Sequence, residues 1–256
     1  MDNPFNEIKD HLVHEWQQTT IGDGDEPESE IRCATCQDCG YVATNMGLDP
    51  DHPEFGKRIL CPDCGPAKLV AQFWRTSGVP EIYRDCKSFK AFQILDGTKP
   101  AFLAAREIAQ PDSPVRLVVI YGPTGNGKTH LAYAAAIHSI NKGRAAIVVR
   151  ALNWLYEYKA MQRKGDGSDV SLYCGIIHVP FLILDELEVR TEFDQQTIDE
   201  IVCMREAQAK ATLITTNYTL DNMEDRKFHR ILSRASDPVT GRLVVNQGAD
   251  YRKRGK

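Results

Sequence analysis

The sequence predicts an α/β fold built around a parallel β-sheet and preceded by a small cysteine-rich module. From about residue 100 onward, short apolar runs alternate with longer helical patterns, which is typical of parallel strands covered by helices on both faces. One of these runs leads into a glycine-rich loop and then into a helix. Five of the eight cysteines lie between Cys33 and Cys64, and this clustering indicates a metal-binding segment.

Length and composition limit the possible classes of protein. The chain has 256 residues, of which 42% are apolar and 26% charged, so we expect one or two globular domains. We find neither an apolar run of about 20 residues nor a secretory signal, and we expect a cytoplasmic protein. A net charge of −4 excludes a bulk polycation, so any contact with nucleic acid should come from local basic patches.

The pattern of apolar residues places the elements along the chain. The predicted strands are 116–121, 145–149, 181–184, 212–215 and 243–245. The predicted helices are 67–77, 128–141, 151–164 and 194–210. Helical spacing predicts an amphipathic helix over 4–18, with Phe5, Ile8, Leu12 and Trp16 on its apolar face. The acidic stretch at 22–30 is typical of a solvated linker. We expect an N-terminal helix and zinc module over 1–75, a linker over 76–99 and a catalytic domain over 100–256.

The glycine-rich loop has the pattern G-x-x-x-x-G-K-T between a strand and a helix, which is the context of a phosphate-binding loop. Its residues are Gly122, Pro123, Thr124, Gly125, Asn126, Gly127, Lys128 and Thr129, followed by His130, and we predict that they bind a nucleotide. Glycines let backbone N–H groups surround a phosphate. Lys128 should reach the β- and γ-phosphates, and Thr129 should ligate Mg²⁺. The alternative is an ordinary glycine-rich turn.

Polar residues also follow two other predicted strands. Asp185 and Glu186 end the strand at 181–184, and acids at the carboxyl end of a parallel strand lie in the ligand crevice. Asp185 suits Mg²⁺, and Glu186 suits activation of the attacking water. Asn217 follows the strand at 212–215, where it would hold that water or contact the γ-phosphate, or simply end the strand in a turn.

These motifs in this order resemble the AAA+ ATPases, and more narrowly the group of DnaC/DnaI helicase loaders and IstB transposition helpers. The matching segments are GPTGNGKT at 122–129, LILDE at 182–186, LITTN at 213–217, RILSR at 230–234 and DYR at 250–252, with an approach segment at 78–89. The resemblance implies a three-layer P-loop domain with a five-stranded parallel sheet. It also implies hydrolysis of ATP and assembly with neighbouring ATPase subunits.

The resemblance further assigns roles to two arginines. Arg234 would be an arginine finger offered to the ATP of a neighbouring subunit, and Arg252 would sense the nucleotide in its own subunit. A cation supplied across an interface would stabilise charge in the transition state. The alternative is that Arg230 and Arg234, four residues apart, line a solvated helix face. Little chain follows Arg252, so we expect no full helical lid.

The segment at 151–164 occupies the place that holds elements contacting single-stranded DNA in this group. Its rings and cations suit base stacking and backbone attraction. They are Trp154, Tyr156, Tyr158, Lys159, Arg163 and Lys164. The alternative is an amphipathic core helix with a wet basic face.

Two C-x-x-C-G turns, at Cys36–Cys39 and Cys61–Cys64, predict a tetrahedral zinc site with four thiolate ligands. We expect Cys36, Cys39, Cys61 and Cys64 as ligands, with Cys33 or His52 as substitutes. Such a site is structural because four protein ligands leave no open position. Redox use of the thiols and an iron–sulfur cluster remain alternatives. Zinc-bearing N-terminal regions also occur in DnaI-like loaders.

The leading functional hypothesis is therefore an ATPase that uses ATP and Mg²⁺ to load a replicative helicase onto single-stranded DNA, with the zinc module gripping the helicase. A second hypothesis is an IstB-like transposition helper that binds duplex DNA and a transposase. A third is a zinc adaptor that binds a nucleotide as a switch without hydrolysing it.

Overall fold

The computed structural model describes residues 33–248 and Tyr251. The chain divides into two compact units between Gly65 and Pro66. The amphipathic pattern at 4–18, the acidic stretch at 22–30 and Arg252 lie outside the described residues. Among the helices that are described, none is long and apolar enough to cross a lipid bilayer.

The first unit contains a two-stranded antiparallel hairpin and the cysteine cluster. Strand β1 (Tyr41–Ala43) pairs with β2 (Arg58–Leu60). In the described part of this unit, the buried apolar cluster consists of three cysteines, with Val42 and Cys64 packed against it. A unit this small buries little apolar surface, so a bound metal would supply much of its folding free energy.

The second unit contains the predicted parallel sheet. Its strands are β3 (Leu117–Tyr121), β4 (Ala146–Arg150), β5 (Phe181–Asp185), β6 (Ala211–Thr216) and β7 (Gly241–Val245). They lie in the order β4-β5-β6-β3-β7, and every pair is parallel. The prediction of a five-stranded parallel sheet is confirmed. The carboxyl ends of all five strands therefore meet at one edge, where ligands of such sheets bind.

Helices cover both faces of this sheet, and several short helices lie in the connecting segments. In chain order they are α1 (Gly65–Thr76), α2 (Tyr83–Cys86), α3 (Lys99–Ile108), α4 (Lys128–Asn141), α5 (Ala151–Lys164), α6 (Ser168–His178), α7 (Glu192–Ala207), α8 (Leu220–Asp225) and α9 (His229–Ala235). Alternate residues of β3 enter opposite cores, since successive side chains of a strand point to opposite faces. Val118 and Ile120 pack with α3 and α4, whereas Leu117 and Val119 pack with α5, α6 and α7. The result is the expected three-layer architecture.

The segment 76–99, expected to form a linker, instead belongs to the second unit. Val79 is buried, and the rings of Phe89 and Phe92 pack against the core cluster that contains α3 and α4. The observed boundary at Gly65 also lies earlier than the expected boundary at 75. The break at 78–80 is a close approach of the chain to the sheet, because a Cβ at Gly78 would lie 2.4 Å from the carbonyl oxygen of Val148.

Candidate functional site

The phosphate loop connects β3 to the N-terminus of α4. Gly122, Gly125 and Gly127 adopt φ angles of 136°, 80° and 90°, which only glycine adopts without strain. The loop therefore curls back over the start of α4, where N–H groups and the helix dipole favour a phosphate. A Cβ at Gly127 would also meet the Phe92 ring at 2.9 Å, so this glycine allows the aromatic ring to cover the loop.

Lys128 is the buried cation of this loop. Its Nζ donates to the carbonyl oxygens of Gly122, at 2.8 Å, and Pro123, at 2.6 Å. Burial lowers the pKa of Lys128 to about 8, although Asp185 and Glu186 oppose this shift. The ammonium is thus folded onto its own loop, within reach of the space that phosphates would occupy.

Asp185 and Thr129 provide a pair of oxygen atoms suited to Mg²⁺. The Asp185 carboxylate is almost completely buried and accepts hydrogen bonds from the hydroxyls of Thr215, at 2.6 Å, and Thr129, at 3.3 Å. Burial raises the pKa of Asp185, and the hydrogen bond from Thr215 opposes the rise. Because carboxylate and hydroxyl oxygens are typical ligands of Mg²⁺, these residues fit the ion. Sequence patterns did not identify Thr215.

Glu186 follows Asp185 with a φ angle of 51°, an uncommon conformation for a residue other than glycine. The backbone N–H of Glu186 donates a hydrogen bond to the hydroxyl of Thr215 at 2.9 Å, which holds this turn. The side chain forms an ion pair with Arg150, the last residue of β4. Strained backbone of this kind is concentrated at functional sites. The role of Arg150 was not predicted from the sequence.

A cavity of about 710 Å³ lies along this edge of the sheet. The phosphate loop, Asp185, Glu186 and the exposed Asn217 line one part of it, while residues 83–98 and Tyr251 line the other. The volume is typical of a site for a ligand of nucleotide size. The cavity brings together the predicted loop, acids and asparagine, and it adds aromatic residues from the segment expected to be a linker.

His130 contacts the segment that covers the loop. Its Nε2 lies 3.1 Å from the carbonyl oxygen of Ser88, and its ring meets the edge of Phe92 at 5.1 Å between centroids. Burial lowers the pKa of His130. His130 lines the same cavity as the phosphate loop.

Arg234 lies on α9 and does not line the cavity of its own chain. Its guanidinium pairs with Glu206 of α7, and Arg230 lies 3.9 Å from Asp199. The pKa of Arg234 is raised mainly by the hydrogen bond to Glu206. Both arginines thus make contacts within the chain. If Arg234 acts as an arginine finger, its guanidinium would leave Glu206 and contact a phosphate bound to the neighbouring subunit.

The rings of α5 occupy different environments. Trp154 is buried in the core and stacks on Tyr158, with 5.0 Å between ring centroids, while Tyr156 is exposed. Lys159 pairs with the buried Asp194. Trp154, Tyr158 and Lys159 are therefore engaged within the protein and are poorly placed for DNA. Tyr156 lies beside Arg190, a residue that sequence patterns did not identify.

Four cysteines of the first unit come together. The Sγ atoms of Cys33, Cys36, Cys61 and Cys64 all lie within 4.8 Å of one another. Neighbouring pairs are separated by 3.3 to 3.7 Å, close to the edge of about 3.8 Å in a tetrahedron with Zn–S bonds of about 2.3 Å. A backbone hydrogen bond from Cys64 is the main cause that lowers the pKa of Cys61 to about 7. The arrangement fits zinc.

The structure places Cys33, rather than the expected Cys39, in this cluster. Cys39 is exposed, and its thiol donates to the carbonyl oxygen of Tyr41 at 3.0 Å. Gln37 and Asp38 have positive φ angles, so the chain turns before Cys39 reaches the cluster. The backbone N–H of Gly40 donates to Cys36 Sγ at 3.2 Å, so the glycine supports the first cysteine of the C-x-x-C-G turn.

Comparisons with known proteins agree with this architecture. The replicative helicase loader DnaC of Escherichia coli strain K12 is 25% identical over 172 residues, which cover 66% of this chain and 70% of DnaC. A crystal structure of the DnaC helicase loader shares the fold, with a TM-score of 0.52, 23% identity and coverage of 66% of this chain and 100% of that one. The DnaI structure gives a TM-score of 0.52 and 20% identity over 67% of this chain and 93% of DnaI.

The family model described as IstB-like ATP binding protein matches residues 110–237, which is half of the chain. The matched range contains the phosphate loop, Asp185 and Glu186 at the end of β5, and Arg234. The chain belongs to the family of IstB-like ATP binding proteins, within the AAA+ fold that it shares with the DnaC and DnaI loaders.

Proposed function

We propose that this protein is an ATPase that loads a replicative helicase onto single-stranded DNA. The observation that carries the proposal is the cavity that joins the phosphate loop to Asp185 and Glu186, in a chain that is similar to DnaC across 70% of that loader. The buried Lys128 and the pair formed by Thr129 and Asp185 would bind ATP with Mg²⁺. Glu186 would then accept a proton from the attacking water.

Hydrolysis would be completed by a neighbouring subunit. Arg234 lies outside its own cavity, so its charge would stabilise the transition state only across an interface between subunits. Asn217 lines the cavity beside Glu186 and would orient the water. ATP turnover would thus depend on assembly, and the nucleotide state would govern release of the helicase.

The DNA surface is proposed to centre on the exposed Tyr156 with Arg190, which lies 5.8 Å from its ring, and on the exposed Arg163 and Lys164 at the end of α5. An exposed ring beside a cation suits a stacked base and a phosphate. The triple variant Arg163→Ala, Lys164→Ala, Arg190→Ala should weaken single-strand binding and reduce its salt slope. Lys142→Ala, an exposed cation at the end of α4, should change neither.

The zinc site is proposed to use Cys33, Cys36, Cys61 and Cys64, and the first unit is proposed to grip the helicase. Co-purification of the full chain with candidate helicases, with and without ATP, tests loading directly. We expect a complex whose amount changes with the nucleotide and with Glu186→Gln. Failure to capture any replicative helicase would count against the loader. ATP binding without turnover in the presence of DNA and helicase would favour the zinc adaptor.

A second candidate function is a transposition helper, and the match to the IstB-like family favours it. Such a helper would prefer duplex DNA and form ATP-dependent filaments. Titration of the full chain with single-stranded and duplex oligonucleotides of equal length separates the two proposals. Preference for the duplex would support the helper and contradict the loader.

A further inference from the structure

The segment that follows β7 lies against the phosphate loop. Asn246 is the first residue after this strand and is completely buried. Its backbone N–H donates to the carbonyl oxygen of Tyr121 at 2.8 Å, which extends the pairing of β3 with β7 as far as the start of the loop. Further along, the backbone N–H of Tyr251 donates to the carbonyl oxygen of Gly125 at 2.9 Å. The loop is thus held at two points.

Asn246 and Asn126 form a reciprocal pair across this contact. The Nδ2 of Asn126 donates to the backbone carbonyl of Asn246, and the Nδ2 of Asn246 donates to the backbone carbonyl of Asn126 at 3.0 Å. Asn126 also accepts a hydrogen bond from Lys128 Nζ at its Oδ1, at 3.2 Å. The carboxamide of Asn126 therefore links the cation of the loop to the end of β7.

Gly122 shows how closely the two segments approach. A Cβ at this position would lie 2.4 Å from the carbonyl oxygen of Asn246, a distance that backbone atoms do not tolerate. The first glycine of the loop is thus required by the neighbouring segment as well as by a phosphate. Any side chain at 122 would force the end of β7 away from the loop.

One atom of the pair is inconsistent with a purely stabilising role. Asn246 Oδ1 is buried and has no hydrogen-bond partner within the described part of the chain. An unsatisfied buried acceptor costs about 1–3 kcal/mol, which offsets the gain from the hydrogen bond that Asn246 Nδ2 donates. Local departures of this kind are expected where function outweighs stability.

We propose that Asn246 is a positioning residue for nucleotide binding, which acts through Asn126 to clamp the phosphate loop in its curled form. The clamp orients the loop N–H groups and Lys128 toward the β- and γ-phosphates. It rests on the proposed ATPase function, and it extends that site to a residue beyond the matched family range of 110–237. Since the loop cradles the β-phosphate, the clamp serves ADP and ATP alike.

The test compares Asn126→Ala, Asn246→Ala and the double variant in the full chain, with Kd measured for ATP and ADP in the presence of Mg²⁺. Asn246→Ala removes one of these hydrogen bonds, which predicts about a five- to tenfold weaker Kd for both nucleotides. Asn126→Ala removes two, so its loss should be at least as large. Because the two residues act as one unit, the Kd of the double variant should exceed the larger of the two single-variant Kd values by less than about twofold. Ile231→Val, in the opposite core layer, should lower the melting temperature and leave both Kd values unchanged.

Unchanged Kd values in both single variants, or losses that add in the double variant, would overturn the clamp while leaving the ATPase intact. A wild-type chain that binds neither nucleotide would overturn both proposals. If Asn246→Ala does not fold, Asn126→Ala still tests the clamp because it leaves β7 unchanged, and a normal Kd in that variant overturns it.

Discussion

Arg205 of α7 offers a sharp test of how the second unit is stabilised. Its side chain is completely buried and donates to the carbonyl oxygens of Ile176, Val179 and Ala211 at 2.5, 2.9 and 2.6 Å. It also donates to Ile177 O and to the Thr212 hydroxyl. A cation therefore neutralises the C-terminus of α6 and joins it to the first residues of β6, with no carboxylate among these partners.

The variant Arg205→Met retains most of the packing and removes these donors. Each buried carbonyl left without a partner costs about 1–3 kcal/mol, and relief of the buried charge offsets part of that cost. Ile177 O keeps a hydrogen bond from Lys210 at 3.3 Å. We therefore expect a loss of about 3–5 kcal/mol in the free energy of unfolding. At about 2–4 °C per kcal/mol, Tm should fall by about 6–20 °C.

Thermal and urea unfolding, followed by circular dichroism, measure this loss. The matched control is Arg242→Met, since Arg242 is partly exposed and pairs with Glu107 at 2.7 Å. Such pairs contribute about 0–1 kcal/mol. A loss for Arg205→Met no larger than that of the control would refute the reasoning. ATP affinity should remain normal in both variants below their transitions, because neither side chain lines the nucleotide cavity.

Three further outcomes are expected. Cys33→Ser should remove bound zinc from the purified chain while Cys39→Ser retains it, as metal analysis would show; the reverse result would restore the ligand set predicted from the sequence. Because burial lowers the pKa of Lys128 to about 8, the free protein loses this ammonium charge above that pH. The pH profile of kcat/KM for ATP should therefore fall above about pH 8, while kcat, measured with phosphates bound, stays level. A kcat/KM that remains flat well above this pH contradicts the assignment. Tyr156→Ala should weaken single-strand binding without lowering Tm, whereas Trp154→Ala should mainly lower Tm. Scanning calorimetry and a binding titration measure the two effects, and the reverse assignment of effects to the two variants would contradict the interpretation.

The motifs at the sheet edge were predictable because their chemistry is local in sequence. Glycines at fixed spacing before Lys128 and two acids after an apolar run define the site without knowledge of the tertiary structure. Thr215 and Arg150 were missed, since a threonine within an apolar strand and an arginine at the end of another are ordinary residues. They contact Asp185 and Glu186 only because β4, β5 and β6 are neighbours in the sheet.

The environment of α5 depended on an element that the sequence did not reveal. Helix α6 was not predicted, and it brings Tyr173 to 6.5 Å from the Trp154 ring and 5.6 Å from the Tyr158 ring. Helical spacing alone does not distinguish rings that face a core from rings that face DNA. The structure assigns Trp154 to the core.

The choice of thiolates was likewise a matter of tertiary structure. Both C-x-x-C-G turns have the spacing of a zinc site, but the second turn reaches the first only through the hairpin formed by β1 and β2. In that arrangement the N–H of Cys61 donates to the carbonyl oxygen of Gly40 at 2.8 Å. In the same arrangement Cys33 belongs to the cluster and Cys39 lies at the surface.

Calorimetric titration of the purified full chain with ATP and Mg²⁺ tests the nucleotide site most directly. We expect the wild-type protein and the surface control Lys142→Ala to bind with the same Kd. Lys128→Ala should weaken binding roughly 10- to 100-fold, the effect of losing a hydrogen bond from a charged group. An absence of binding by the wild-type chain, or an unchanged Kd in Lys128→Ala, would contradict the assignment of the loop as the site of ATP.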